Sequence, residues 1–267
     1  MKALRHDVAV DPRISYDSCP LCDSKSFCSI GHGDCSKHAL YQPELGATIA
    51  WNKCNECHHI FTEGYFTEQA CEILFSKTHD RQSVGYDAEQ SRIASAKMID
   101  KILPYTDGGR WLDVGFGNAS LLFTVQEFGF DAVGVDLRPE NVKILNALGI
   151  EAYCTEIQNL RLDGQFSVIS LMDVLEHVPF PRDFLASVKR LLKKDGVLLI
   201  SLPNSETILW DLVTRNNDNP YWGEIEHYHN FGRSRLYDLL REFDIEPVRY
   251  GISERYRLGM EVIAIRR

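Results

Sequence analysis

The sequence has no long apolar run: nothing in its 267 residues approaches the ~18 uninterrupted apolar positions that a membrane-spanning helix needs. Its first stretch, MKALRHDVAVDPRISYD, scatters charges where a secretory leader would carry a continuous apolar core. A cytoplasmic protein without membrane contact is therefore expected. Positive charge is also scarce, with 29 Lys and Arg against 38 Asp and Glu and a formal net charge of −9. A general nucleic-acid binder needs a basic face to displace counterions from phosphates, so nucleic acid is not an expected partner. Internal repeats and low-complexity tracts are missing as well. What remains, 44% apolar and 25% charged residues, is the composition of a chain that buries an ordinary core.

Cysteine, by contrast, is plentiful and unevenly placed. Of 8 cysteines, Cys19, Cys22, Cys28, Cys35, Cys54 and Cys57 crowd the start, leaving only Cys71 and Cys154 beyond. In a reducing compartment such a cluster points to metal binding or to plain buried thiols rather than to disulfides. Cys19-Pro-Leu-Cys22 and Cys54-Asn-Glu-Cys57 are two CxxC pairs, and each such turn can aim two thiolates at one ion. The expected site is a structural zinc held by Cys19, Cys22, Cys54 and Cys57, with His32, Cys35, His38, His58 and His59 as possible substitute ligands. Four protein ligands close a tetrahedral shell and leave no position for water, so the metal is expected to stabilise rather than to catalyse. This defines a small zinc-ribbon-like module over residues 1–62.

Residues 63–104 read as a helical linker, with apolar spacing at Ile93, Ala96, Ile99 and Leu103 and a stop at Pro104. From residue 105 to 267 the texture changes to short apolar runs (110–114, 132–137, 151–154, 166–172, 197–202) alternating with helix-like segments (120–128, 139–148, 181–193). That rhythm predicts βαβ units and a mostly parallel, doubly wound α/β sheet. The final runs, 246–252 and 261–266, are joined too closely for a parallel crossover and should pair antiparallel. Residues 205–232 form an insertion placed to cap the crevice at the strand ends.

The segment WLDVGFGNAS (111–120) ends an apolar run at Gly115 and Gly117, where backbone can approach a ligand. Asp136, ending the next run in AVGVDL, can accept hydrogen bonds from both hydroxyls of a ribose. Loop and acid together indicate an adenosine-containing cofactor. Asp113 inside the strand end would repel a pyrophosphate but favours a cation, and Ser120 stands where a dinucleotide loop needs its third glycine. Both features favour S-adenosylmethionine over a nicotinamide.

WLDVGFGNAS, AVGVDL, SLMDVLEHVPFP and GVLLISLPN resemble, in order, the motifs of class I S-adenosylmethionine-dependent methyltransferases. The resemblance covers roughly residues 110–204 and implies a seven-stranded sheet with an antiparallel C-terminal strand. It further implies that Asp113, Gly115 and Gly117 surround the methionine part, Asp136 holds the ribose and Leu137 flanks the adenine. Thr155, Glu156 and Ile157 would lie at the adenine edge, and Met172 and Asp173 beside the transferred methyl, although Met172 could equally be packing. Ala119 replaces the third glycine of the family's GxGxG. The LEHVP segment is similar to that of ubiquinone-pathway O-methyltransferases and many sugar methyltransferases, and cysteine-pair modules precede some methyltransferases that act on sugars.

The expected activity is methyl transfer to a small hydroxylated acceptor, a sugar or nucleotide-linked sugar. An oxygen or carbon nucleophile calls for a base, and His227 is the first candidate, followed by His177, with Glu226 beside them. Tyr221, Trp222, Tyr228 and Phe231 would suit stacking on a ring, or form the core of a lid. Two other readings stay open: an RNA methyltransferase gripping RNA with the zinc module, and a noncatalytic cofactor-binding protein.

Overall fold

A computed structural model describes residues 11–75, 80–256 and 258–267. The first strands are β1 (Arg13–Ser15), β2 (Phe27–Asp34), β3 (Thr48–Cys54), β4 (Ile60–Thr62) and β5 (Gly64–Phe66). Helices α1 (Glu68–Phe75) and α2 (Ala88–Ile102) follow. The stretch read as a helical linker thus opens with a strand: β5 pairs antiparallel with β1. Its three residues, Gly-Tyr-Phe, are too few to announce a strand without the partner. The buried face of α2 is Ser95, Met98, Ile99 and Ile102, while Ile93 and Leu103 are exposed, so the apolar stripe lies partly rotated from the expected one.

The remaining elements alternate: β6 (Arg110–Val114), α3 (Ser120–Glu127), β7 (Asp131–Asp136), α4 (Pro139–Ala147), β8 (Glu151–Cys154), β9 (Phe166–Met172), α5 (Pro181–Leu191) and β10 (Leu192–Pro203). Then come α6 (Ile208–Arg215), β11 (His229–Asn230), α7 (Arg233–Glu242), β12 (Ile245–Ile252) and β13 (Gly259–Arg266). Seven strands form one sheet in the order β12-β13-β10-β9-β6-β7-β8. Strands β10, β9, β6, β7 and β8 run parallel, and β13 lies antiparallel between β10 and β12.

The period-2 alternation of each central strand divides its side chains between two cores. Trp111, Val168, Val197 and Leu199 pack under α2, α3 and α4, whereas Leu112, Ile169, Leu171, Leu198 and Ile200 pack under α5 and α7. Continuous apolar strands such as VISLM are what a sheet covered on both faces requires. Strand order reverses at β6, which has β7 on one side and β9 on the other, and this opens a crevice at the carboxyl ends of the strands.

The cysteine-rich segment does not close on itself. Its sheet has the order β11-β4-β3-β2, so its edge strand comes from residues 229–230, far along the chain. Tyr16, Cys19, Leu21, Cys54 and Phe61 share one core with the sheet strands and with Phe231 and Leu236. A third core joins Leu45, Ile49, Trp51 and Leu74 to Ile225 and Tyr228 of the 205–232 insertion. Among the described residues no helix is long and apolar enough to cross a membrane.

Candidate active site and cysteine cluster

The β6–α3 turn forms the floor of the crevice. Gly115 and Gly117 take φ of 66° and 52°, and Ala119 follows at 62° although it carries a Cβ. Its methyl is fully buried, so the third small position adopts a glycine-like backbone without being glycine. Asp136, 4% exposed, receives the Gly117 N–H on Oδ2 at 3.2 Å and the Arg138 N–H on Oδ1 at 2.9 Å. The Arg138 guanidinium stands 3.3 Å from Oδ2, which compensates the buried charge. Loop and acid are thereby tied into one unit.

Asp113 is 3% exposed and accepts a 2.6 Å hydrogen bond from Ser170 Oγ, which itself accepts the Trp111 indole N–H at 2.9 Å. Burial pushes its carboxyl up to about 7, with the Ser170 hydrogen bond and the field of Arg255 working the other way. A carboxylate so poorly solvated gains most from a cation placed against it. Asp173 follows β9 with φ 59°, its N–H held by Ser201 O at 2.8 Å. Arg255, from the β12–β13 connection, lies 3.5 Å from Asp173 Oδ2. Burial raises the Asp173 carboxyl, and Arg255 followed by His177 opposes that rise.

The other expected cofactor contacts differ in what they can offer. Leu137 is 60% exposed at the end of β7, free to cover a planar ring. Glu156 is exposed and precedes a short 3-10 turn over Ile157–Asn159. The Ile157 side chain is 2% exposed within the core and leaves only backbone for a ligand. Met172 is 5% exposed and packs in the core under α2 to α4.

Of the residues expected on the acceptor side, the structure brings His177, Glu226 and His227 together. The rings of His177 and His227 are 4.7 Å apart in a T-shaped contact. His177 Nδ1 lies 3.1 Å from the Glu226 carbonyl oxygen and 3.9 Å from Glu226 Oε2. A carbonyl only accepts, so Nδ1 carries the proton and the neutral ring keeps its lone pair on Nε2. His227 is 6% exposed with Nδ1 unpartnered, and burial holds its basicity well below the usual histidine range. Glu176, 1% exposed, has no hydrogen bond to either carboxyl oxygen, and burial followed by the nearby Asp173 charge raises it well above the carboxylate range. Donor atoms of Glu176, His177 and His227 lie within 4.8 Å of one another, close enough to share an ion. Of the four aromatics, Tyr228 and Phe231 are buried in the cores. Tyr221 stacks on Trp210 at 5.2 Å and faces His227 at 6.0 Å.

The cysteine cluster is assembled from both CxxC turns. Cys19 Sγ is 3.6 Å from Cys57 Sγ, Cys22 Sγ is 3.5 Å from Cys54 Sγ, and all four sulfurs lie within 4.8 Å. Tetrahedral zinc–thiolate bonds of ~2.3 Å require sulfurs about 3.8 Å apart, so the donor set fits the ion. Each pair is followed by a left-handed residue, Asp23 at φ 58° and His58 at φ 59°, the same backbone device used twice. The substitutes are occupied elsewhere: Cys35 donates to Gly46 O, His38 pairs with Glu224 at 2.9 Å, and His59 pairs with His229 at 3.0 Å. His32 and His58 are not among the clustered donors.

Ser170, Arg138 and Arg255 escaped the sequence reading. A serine inside a strand and an arginine in a hairpin connection have no local signal; only the β6–β9 and β10–β13 pairings bring them to the crevice. Glu176 was visible within LEHVP but not the isolation of its carboxylate.

The family model described as "Methyltransferase domain" matches residues 86–250, well over half the chain. The protein belongs to that methyltransferase family. The ubiquinone biosynthesis O-methyltransferase of Haemophilus ducreyi is 36% identical over 118 residues, covering 40% of this chain and 50% of that protein. Its counterpart in Roseobacter denitrificans is 29% identical over 152 residues, or 53% of this chain and 61% of that protein. The matched stretch therefore spans less than two thirds of either relative. Among solved structures, the 1,6-didemethyltoxoflavin-N1-methyltransferase of Burkholderia thailandensis, crystallised with S-adenosylhomocysteine, superposes with a TM-score of 0.56 at 20% identity, over 79% of this chain and 97% of that one. At that identity the likeness concerns the fold.

Proposed function

We propose that this methyltransferase-family protein transfers a methyl group from S-adenosylmethionine to a small hydroxylated acceptor. The observation that carries the reading is the bond from the Gly117 N–H to Asp136, with the buried Asp113 nearby, at the carboxyl ends of β6 and β7, where the strand order reverses. Asp113, Gly115 and Gly117 would hold the cationic methionine part and Asp136 the ribose, with Leu137, Glu156 and the Ile157 backbone beside the adenine. Met172 and Asp173 would border the methyl. When bound, S-adenosylmethionine supplies a methyl already activated on sulfonium, so the protein's task is alignment and exclusion of water.

The acceptor hydroxyl must lose its proton as its oxygen gains the methyl. His177 is better suited to take that proton than His227, because Glu226 orients it through Nδ1 and leaves a lone pair on a ring that is 30% exposed. His227, buried and weakly basic, is suited to hold His177 in place. A hydroxylated acceptor agrees with the names of the relatives, which concern ubiquinone biosynthesis. Within that class a sugar or nucleotide-linked sugar remains the finer proposal, supported by Tyr221, whose ring faces His227 at 6.0 Å. The four-cysteine site is proposed to hold structural zinc.

Calorimetric titration with S-adenosylhomocysteine tests the core of the reading, since a well-folded protein that does not bind it is not this enzyme. Labelled methyl transfer across nucleotide sugars and dihydroxylated aromatic compounds then identifies the acceptor class.

A further inference from the structure

The loop over residues 176–179 supplies Glu176 and His177, yet its backbone is gripped from outside the parallel sheet. The Glu176 carbonyl accepts the Tyr228 N–H at 2.8 Å, and the Tyr16 hydroxyl donates to the Pro179 carbonyl at 2.8 Å. The Val178 carbonyl is 2.9 Å from His229 Nε2, and His229 Nδ1 is 3.0 Å from His59 Nε2. Since a carbonyl only accepts, His229 Nε2 carries a proton, and in a neutral ring Nδ1 then accepts from His59 Nε2–H. Both rings are almost wholly buried, 1% and 0% exposed, where an unpaired charge has no compensation. His59 is tied to the cysteine cluster by sequence, two residues past Cys57, and by its carbonyl, which accepts the Cys54 N–H at 2.9 Å. A continuous hydrogen-bonded path therefore runs from the Cys54 knuckle through His59 and His229 to the loop that holds His177. Strand β11, which carries His229 and Asn230, is mounted on β4 directly beyond the knuckle.

We propose that the four-cysteine site anchors the catalytic loop: metal held by Cys19, Cys22, Cys54 and Cys57 fixes His59 and, through His229, the Val178 carbonyl, so its occupancy sets the placement of His177. His59 and His229 are positioning residues. The cofactor floor at Gly115, Gly117 and Asp136 lies outside this path and does not depend on it. The inference rests on the reading of the cysteines as a zinc site and of the 176–179 loop as the acceptor side.

Three measurements on the full chain keep these layers apart: zinc content, S-adenosylhomocysteine affinity by calorimetry, and amide hydrogen exchange over residues 175–179 and 226–230. Purified protein is expected to carry one zinc per chain. His229→Leu should retain that zinc and bind S-adenosylhomocysteine within about twofold of wild type, while amides of the 175–179 loop exchange about tenfold faster. His229→Gln, whose amide can donate to Val178 O and accept from His59, should restore slow exchange. Chelation of wild-type zinc should loosen the same loop. Unchanged exchange in 175–179 after zinc loss, or in zinc-replete His229→Leu, overturns the coupling. Zinc-free wild-type protein overturns the metal reading on which it rests, by a separate measurement. With the acceptor identified, His229→Leu should lower kcat and leave the KM for S-adenosylmethionine unchanged.

Discussion

Asp113 concentrates the electrostatics of the cofactor side. Its carboxyl titrates near 7 because it is buried, whereas an unfolded aspartate titrates near 3.8. In the protein alone, proton uptake by Asp113 favours the folded state at low pH, and that contribution is lost as pH rises through about 7. A cationic ligand reverses the preference, because it needs the ionised form. Cofactor affinity is therefore expected to fall by up to about tenfold per pH unit below about 7, and Asp113→Asn should flatten that slope; calorimetry between pH 5.5 and 8 reads both. Asp136→Ala should abolish detectable S-adenosylhomocysteine binding and leave the zinc content unchanged. Zinc analysis beside the titration separates a lost ribose contact from a lost fold. His177→Ala should lower kcat by roughly 10²–10⁴-fold if it is the base, with cofactor affinity intact. The positions of Asp113 and Asp136 near strand ends and of His177 just past β9 were legible in the sequence, since each sits in a short motif. The exchange of emphasis between His177 and His227 was not, because relative burial depends on what the insertion packs against.

At the scale of elements, the contact between β2 and the short turn over Pro220–Trp222 is backbone against backbone. A Cβ on Gly33 would stand 1.6 Å from the Trp222 carbonyl oxygen, and that same oxygen accepts the Trp51 indole N–H at 2.9 Å. Gly33→Ala must push the two segments apart, with an expected loss of about 3 kcal/mol in denaturant-derived stability. Because the turn leads into Glu226 and His227, the acceptor-side histidines should shift with it, while the β6–α3 floor stays as it was. Helix and strand alternation from residue 110 to 203 was readable from period and capping, as α4 and α5 show by starting on Pro139 and Pro181. Strands β1, β5 and β11, of three, three and two residues, carry no such signal. A strand that short is specified by its partner.

At the scale of the molecule, the cysteine cluster and the parallel sheet share one hydrophobic core. Arg182 and Arg235 reinforce the join by donating to the Leu21 carbonyl between Cys19 and Cys22, at 3.1 and 3.3 Å. Removal of the zinc proposed for this cluster is accordingly expected to destabilise the whole chain rather than melt an appendage. A thermal scan with chelator should show one cooperative transition displaced downward by about 10 °C, given a sensitivity of about 2–4 °C per kcal/mol for chains of this size. Two well-separated transitions, with the upper one unmoved, would show that the cysteine segment is an independent unit.

The sequence by itself determined the parallel sheet, the Gly115–Gly117 turn with Asp113 and Asp136 on neighbouring strands, and the two CxxC turns, because each is encoded in residues close along the chain. Local spacing fixes a CxxC turn, a strand-to-helix glycine loop and a period-2 apolar run without help from elsewhere. Only the tertiary structure decided that residues 229–230 complete the sheet of the cysteine segment. The same holds for Arg255 reaching Asp173, and for the two buried histidines that lie between the knuckle and the loop over residues 176–179. Such contacts join residues as distant as His59 and His229, and their free energy comes from excluding water and satisfying buried polar groups once the cores have closed. No local pattern records a partner that exists only after folding.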